Sequence, residues 1–178
     1  IEIDANYKMT HGLTDYETVN SLLANNDIES NIEKIEKVLN IYSQNLVPIF
    51  TAQPPEVLGG IIEVLEYIKD KTSWRLLVGT GNCLYGARVK LTTTGLINYF
   101  EEANLFCASS TVSERTQIIA KAKKSLEDFE MGIVIGDTPA DIKCAMENNL
   151  EVVGLATGVY GVQDLLAQGT DLVLSVGW

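Results

Sequence analysis

The chain has 178 residues, 46% of them hydrophobic and 21% charged, which is ample material for a globular core and for one large domain or one and a half. Its net charge of −11, uninterrupted by a basic patch, argues against a binder of nucleic-acid backbones. No apolar run approaches the roughly twenty residues of a membrane span, and Cys83, Cys107 and Cys144, widely spaced and without a C-x-x-C pair, read as reduced thiols of a cytoplasmic protein, two of them in the core.

The chain opens on Ile1 without a signal peptide, so it is expected to be processed, trimmed or lacking a leading stretch. His11, the sole histidine, precedes Gly12 in an expected loop, where it is either a solvated residue or a ligand contact. Thr14-Asp15-Tyr16-Glu17 is a capping box that starts a helix with Val19, Leu22 and Leu23 inside. Ile28, Ile32, Ile35, Leu39, Tyr42 and Leu46 then step by four and three, one face of a long amphipathic helix. Residues 1–52 are therefore expected to form a small helical bundle whose stripe faces its own helices and not a sheet. Residues 47–55, with Pro48, Pro54 and Pro55, read as the linker, and residues 53–178 as a second unit.

That second unit alternates strands and helices, the pattern of a parallel α/β sheet with helices on both faces. A helix is predicted over 55–70, with Gly59 and Gly60 inside it at a cost of about 1 kcal/mol each. A buried strand at 75–79 ends in Thr80-Gly81-Asn82, and a helix follows to about Thr94. Residues 104–108 read as a short edge strand, and Thr111-Val112-Ser113-Glu114 as the cap of a helix through Ile118, Ile119 and Leu126. Further strands are predicted at 151–156 and 172–176, with a helix over 162–168 between them.

The most informative stretch is 131–149, MGIVIGDTPADIKCAMENN. Ile133-Val134-Ile135 suits a buried strand, Gly136 a turn, and Asp137 the carboxyl end where open α/β sheets place ligands. Thr138 is a hydroxyl N-cap, Pro139 a first helical residue, and Asp141 the acid of a capping box. Ile142, Ala145 and Met146 form the apolar stripe, and Asn149 can take the left-handed turn at the helix end. A carboxylate at a strand tip beside a helix N-terminus makes a corner for Mg²⁺ and phosphate; the plain alternative is that Asp137 and Asp141 are ordinary turn and cap acids. Two further candidates stand nearby in the pattern. Thr80-Gly81-Asn82 offers a hydroxyl and backbone N–H groups to a phosphate, or is only a common turn. Arg115 sits in a helix first turn, where a cation is disfavoured, so either an anion lies close to it or it is a solvated surface residue.

In this order, Thr-Gly-Asn after a strand, then G-A-R-V-K-L-x(3)-G-L-x(2)-Y-F, then Arg115 and I-V-I-G-D-T-P-A-D-I, the chain resembles the haloacid dehalogenase-like (HAD) hydrolases. It is most similar in texture to phosphoglycolate-phosphatase-like members with a small helical cap. Gly12-Leu13-Thr14-Asp15 resembles the cap opening and Ala156-Thr157-Gly158 the stretch after the metal motif. The resemblance implies an α/β Rossmann-like core and a Mg²⁺-dependent phosphatase of small phosphomonoesters, working through an aspartyl-phosphate. It implies that Thr80, with backbone N–H groups near Gly81 and Asn82, holds a phosphate oxygen. Arg115 would neutralise phosphate and nucleophile, Asp137 would bind Mg²⁺ and Asp141 would support its shell. The implied partner is a small phosphorylated metabolite, with no nucleic acid and no membrane, in a monomer or homodimer.

Three departures accompany the resemblance. No Asp-x-Asp, the family's nucleophile motif, occurs in the sequence, and Asp4 in Ile1-Glu2-Ile3-Asp4 abuts the cap opening too closely to serve. Gly79 replaces a bulkier apolar residue and Asn149 a glycine, while Lys121, Lys123 and Lys124 rival Arg115. The 178 residues alone are thus expected not to turn over. The alternatives are a non-catalytic module binding a phosphorylated ligand or protein and, less favoured, a 2-haloacid dehalogenase, which does not use the Gly-Asp metal motif. In the implied fold the nucleophile strand lies between the strands at Leu77 and Val134, which should then be parallel but not paired with each other.

Overall fold

The computed structural model describes residues 12–126 and 128–175, so His11, Asp4 and the end of the predicted 172–176 strand lie outside the described residues. It is an α/β fold. The helices are α1 (Asp15–Asn25), α2 (Ile32–Ala52), α3 (Ile61–Lys71), α4 (Leu84–Thr93), α5 (Arg115–Lys124), α6 (Pro139–Glu147) and α7 (Val162–Leu166). The strands are β1 (Val78–Cys83), β2 (Leu105–Ala108), β3 (Ile133–Gly136), β4 (Glu151–Leu155) and β5 (Val173–Leu174), with 3₁₀ turns at Leu96–Tyr99 and Glu102–Asn104. All ladders are parallel: β1 pairs with β2, and β3, β4 and β5 follow in order. Among the described residues β1 and β3 are not hydrogen-bonded to each other, and the sheet is in two parts. No helix among those residues is long and apolar enough to cross a membrane.

The first helix begins at its capping box: Thr14 Oγ1 accepts from the Glu17 N–H at 3.2 Å, and Glu17 Oε2 accepts from the Thr14 N–H at 2.8 Å. Val19 and Leu23 of α1 close on Ile35 and Leu39 of α2, but Cys83 at the end of β1 belongs to the same cluster. Leu46 reaches the face of α4 at Gly86. The amphipathic stripe of α2 therefore seals against the α/β part as well as against α1, a correction to the expected self-contained bundle. Its phase also shifts, with Ile32 and Tyr42 exposed and Ser43 buried against Cys83 Sγ at 3.4 Å.

Other boundaries move for local reasons. Pro48 lies inside α2 and not in a linker. Gln44, whose carbonyl would have accepted the missing N–H, is exposed to water, so the helix continues to Ala52. The helix predicted over 55–70 starts only at Ile61, because Gly60 is its N-cap with φ 84°, a left-handed turn that glycine allows. Gly59 and Gly60 thus incur no helix-interior cost. The next strand runs through Thr80-Gly81-Asn82, and its pairing with β2 slips between Thr80 and Cys83. The predicted cap over residues 111–114 does not form: Glu114 is the N-cap without a side-chain bond, Ser109 and Val112 close a turn of their own, and Leu126 lies beyond α5.

The core under the sheet comprises Phe106, Ala108, Ile118 and Ala122, while Ile142, Cys144, Ala145 and Leu165 are fully buried. Met146 is half exposed, a correction to the predicted stripe. Gly79 faces α5: a Cβ there would stand 2.5 Å from the terminal methyl Cδ1 of Ile119, which would have to turn aside. Asn149 takes φ 52°, the left-handed conformation that asparagine tolerates. Cys83, Cys107 and Cys144 are all free thiols.

Candidate functional site

Three helix starts, a turn and a strand end meet in one corner: the beginnings of α1, α5 and α6, the turn after β3 and the tip of β1. The capping box of α6 holds it on one side. Asp141 Oδ2 accepts from the Thr138 N–H at 3.1 Å and from the Thr138 hydroxyl at 2.8 Å, and Thr138 Oγ1 accepts from the Asp141 N–H at 3.3 Å. Its other oxygen, Oδ1, accepts from Arg115 Nη1 at 2.6 Å. This ion pair is largely buried, with 22% and 12% of the two side chains exposed. It accounts for a cation in the first turn of α5, because a carboxylate compensates the unfavourable helix end. A Cβ on Gly136 would lie 2.3 Å from Asp141 Cβ, so the glycine before Asp137 is what lets α6 bring Asp141 so close.

Arg115 is only partly satisfied. Its Nε is buried without a partner among the described residues. A buried donor without an acceptor costs about 1–3 kcal/mol, which an anion placed there would offset. The guanidinium also borders Gly81, where a Cβ would stand 3.3 Å from Nη2 and 3.1 Å from Thr14 Cα. Only glycine passes between these neighbours without forcing them apart.

On either side of Gly81, Thr80 Oγ1 accepts from the Asn82 N–H at 3.2 Å, and the Asn82 side chain turns away toward Asp15 and Lys90. Asp137 is exposed as a residue, yet its Oδ2 lies 2.9 Å from where a Cβ on Gly158 would be. Desolvation and then the Asp141 charge push its pKa up, while Arg115 pulls it down. Asp137 is thus a carboxyl short of positive charge.

The chain brings Arg115, Asp141 and Gly81 into contact and places Asp137 within reach of both charges, with Thr80 and Asn82 flanking Gly81; His11 lies outside the described residues. Of the rival cations, Lys123 Nζ donates to the Asn148 carbonyl at 2.6 Å, at the far end of α6, and Lys121 and Lys124 are exposed on α5. Sequence reasoning missed Asp15, Lys90 and Gly158. The first two meet Asn82 across 67 and 8 residues, separations that leave no periodic or capping signal.

Among the described residues no three His, Cys, Asp or Glu side chains gather as a metal site. Both Asp141 oxygens already accept hydrogen bonds, which leaves Asp137 the freer of these two carboxylates for a metal. A single hard oxygen ligand still suits Mg²⁺, which keeps several waters and takes substrate phosphate oxygens as ligands.

The family model for "Haloacid dehalogenase-like hydrolase" matches residues 4–155. Among solved structures, the chain is similar to a hydrolase from Pseudomonas syringae, with TM-score 0.70 and 20% identity over 93% of this chain and 75% of that one. It is similar also to a HAD hydrolase, family IA, variant 3, from Entamoeba histolytica, with TM-score 0.68 and 20% identity over 96% and 76%. A third, a "predicted phosphatase" from Clostridium acetobutylicum, has TM-score 0.66 and 22% identity over 88% and 71%. At these identities the likeness speaks for the fold alone. No curated protein matches the chain.

Proposed function

The chain belongs to the haloacid dehalogenase-like hydrolases, and from that premise we propose that it is the phosphate- and Mg²⁺-binding part of a phosphatase acting on small phosphorylated metabolites. The observation that carries this reading is Arg115. It is anchored to Asp141 at 2.6 Å, borders Gly81 at the tip of β1, and has a buried Nε without a partner among the described residues. A phosphoryl group seated there takes the Nε–H, a backbone N–H near Gly81 and the Thr80 hydroxyl proton. That proton points away from Asn82, because Thr80 Oγ1 already accepts the Asn82 N–H. These donors stabilise charge that develops on the phosphoryl oxygens, and being held in place beforehand they need no reorganisation.

Asp137 is the residue that would hold Mg²⁺ directly, and Asp141 would act through Arg115, keeping the guanidinium aimed at the phosphate. When bound, the ion neutralises phosphate charge as a Lewis acid. In the fold that the sequence resembles, the nucleophile of this reaction is an aspartate on a strand expected between those corresponding to β1 and β3. No described residue plays that part, and the 178 residues contain no Asp-x-Asp. Binding, and not turnover, is therefore the activity we assign to these residues alone.

The test is hydrolysis of an aryl phosphate by the natural protein with Mg²⁺. Activity should disappear with chelator and with Asp137→Asn. Turnover undiminished in excess chelator would overturn the metal-dependent mechanism, and phosphate binding without turnover would favour a non-catalytic module.

A further inference from the structure

A second polar network lies against the same strand tip and is not used by the site as described. Asp15, at the first position of α1, reaches across to the end of β1. Its Oδ1 accepts from Asn82 Nδ2 at 3.1 Å and its Oδ2 from the Cys83 N–H at 2.8 Å. Lys90 Nζ, from α4, donates to Asn82 Oδ1 at 3.0 Å. The Asn82 amide thus stands between a carboxylate, which only accepts, and an ammonium, which only donates. Its orientation is dictated from both sides. Its backbone N–H in turn donates to Thr80 Oγ1 at 3.2 Å, so the chain of bonds runs from α1 through Asn82 to the threonine hydroxyl.

Asp15 is also the missing cap of α4. Cys83, the N-cap of that helix, offers no side-chain bond of its own, and the Asp15 carboxylate takes the Cys83 N–H at the positive helix end. One carboxylate on α1 therefore fastens both the Thr80-Gly81-Asn82 end of β1 and the helix that follows it. The start of α1 lies close on this strand end, where a Cβ on Gly81 would stand 3.1 Å from Thr14 Cα.

We propose that Asp15 is a positioning residue: through Asn82 it fixes the Thr80-Gly81-Asn82 end of β1 in the form that receives phosphate, so that seating α1 on β1 and presenting the Thr80 hydroxyl are one event. The proposal rests on the phosphate site assigned above. Lys90 is its counterpart, holding the same amide from the opposite side. A change of either residue lets the amide rotate, and the strand end loses its fixed hydroxyl and N–H directions.

The experiment is a titration of the 178-residue chain with inorganic phosphate in the presence of Mg²⁺, followed by calorimetry and by the Gly81 amide resonance. Asp15→Asn and Lys90→Met should each weaken phosphate by about tenfold, the scale of one charge-assisted hydrogen bond. The double variant should be little worse than the stronger single, because both act through Asn82. Asp15→Asn is nearly isosteric, and Lys90→Met leaves the α4 cap intact, so folding failure in one does not decide the other. If Asp15 were only a cap, Asp15→Asn would lower the thermal midpoint and leave phosphate affinity unchanged, and that result overturns the proposal. Additive losses overturn it as well. If the unsubstituted chain binds no phosphate, the site assignment itself fails and the proposal falls with it.

Discussion

Asp137 carries the clearest electrostatic signature at the residue scale. Desolvation and the neighbouring Asp141 raise its pKa above the ordinary 3.8, with Arg115 opposing them. The folded chain then binds this proton more tightly than the unfolded chain does. Its contribution to stability is fully present below the unfolded value and is lost as pH rises through the folded one. At neutral pH the ionised carboxylate destabilises the metal-free protein. Asp137→Asn should accordingly raise the metal-free thermal midpoint at pH near 7, and the advantage should vanish on acidification to the ordinary aspartate value of 3.8. Mg²⁺ should stabilise the unsubstituted chain and not the variant. Melting curves across pH, with and without the ion, check both signs; an unchanged Mg²⁺ response in Asp137→Asn would remove the residue from the metal site.

At the scale of elements, two helix starts were the most legible features of the chain, while the starts of α3 and α5 fell elsewhere than expected. The two capping boxes, Thr14 with Glu17 and Thr138 with Asp141, are written within four residues and form as read. Both motif glycines have reasons that only packing reveals. Gly79 faces Ile119 from an element 40 residues away, and Gly136 makes room for Asp141 five residues on, a closeness that the folded turn and not the spacing reveals. The α2 stripe illustrates the same divide. Its period of three and four was plain, yet its partners include Cys83 of β1 and the face of α4 at Gly86, because a helix buries its apolar face against whatever the tertiary fold supplies. Arg115 was legible only as a misplaced charge, and its partner Asp141 lies 26 residues away. A direct consequence follows for α2. Ile35 is 7% exposed in the cluster that joins α1, α2 and β1. Ile35→Asp should destabilise the chain by about 3 kcal/mol or more, since it buries a charge without a partner. Chemical denaturation measures this, and a loss below 1 kcal/mol would show that the stripe is not a core.

For the whole molecule, the two parts of the sheet, β2 beside β1 and β3 beside β4 and β5, carry the two halves of the proposed site on strands that do not pair with each other. Thr80 belongs to one part and Asp137 to the turn after the other, and Arg115 on α5 spans them by holding Asp141 while bordering Gly81. The central claim is that these halves form one site for phosphate and Mg²⁺, in a chain whose net charge of −11 otherwise repels anions. Calorimetric titration of inorganic phosphate into the chain, with Mg²⁺ and then with chelator, tests it most directly. The account predicts saturable 1:1 binding that needs Mg²⁺ and is lost in both Arg115→Met and Asp137→Asn. Binding that survives chelator and both substitutions, or no binding by a folded chain in the presence of Mg²⁺, would contradict it.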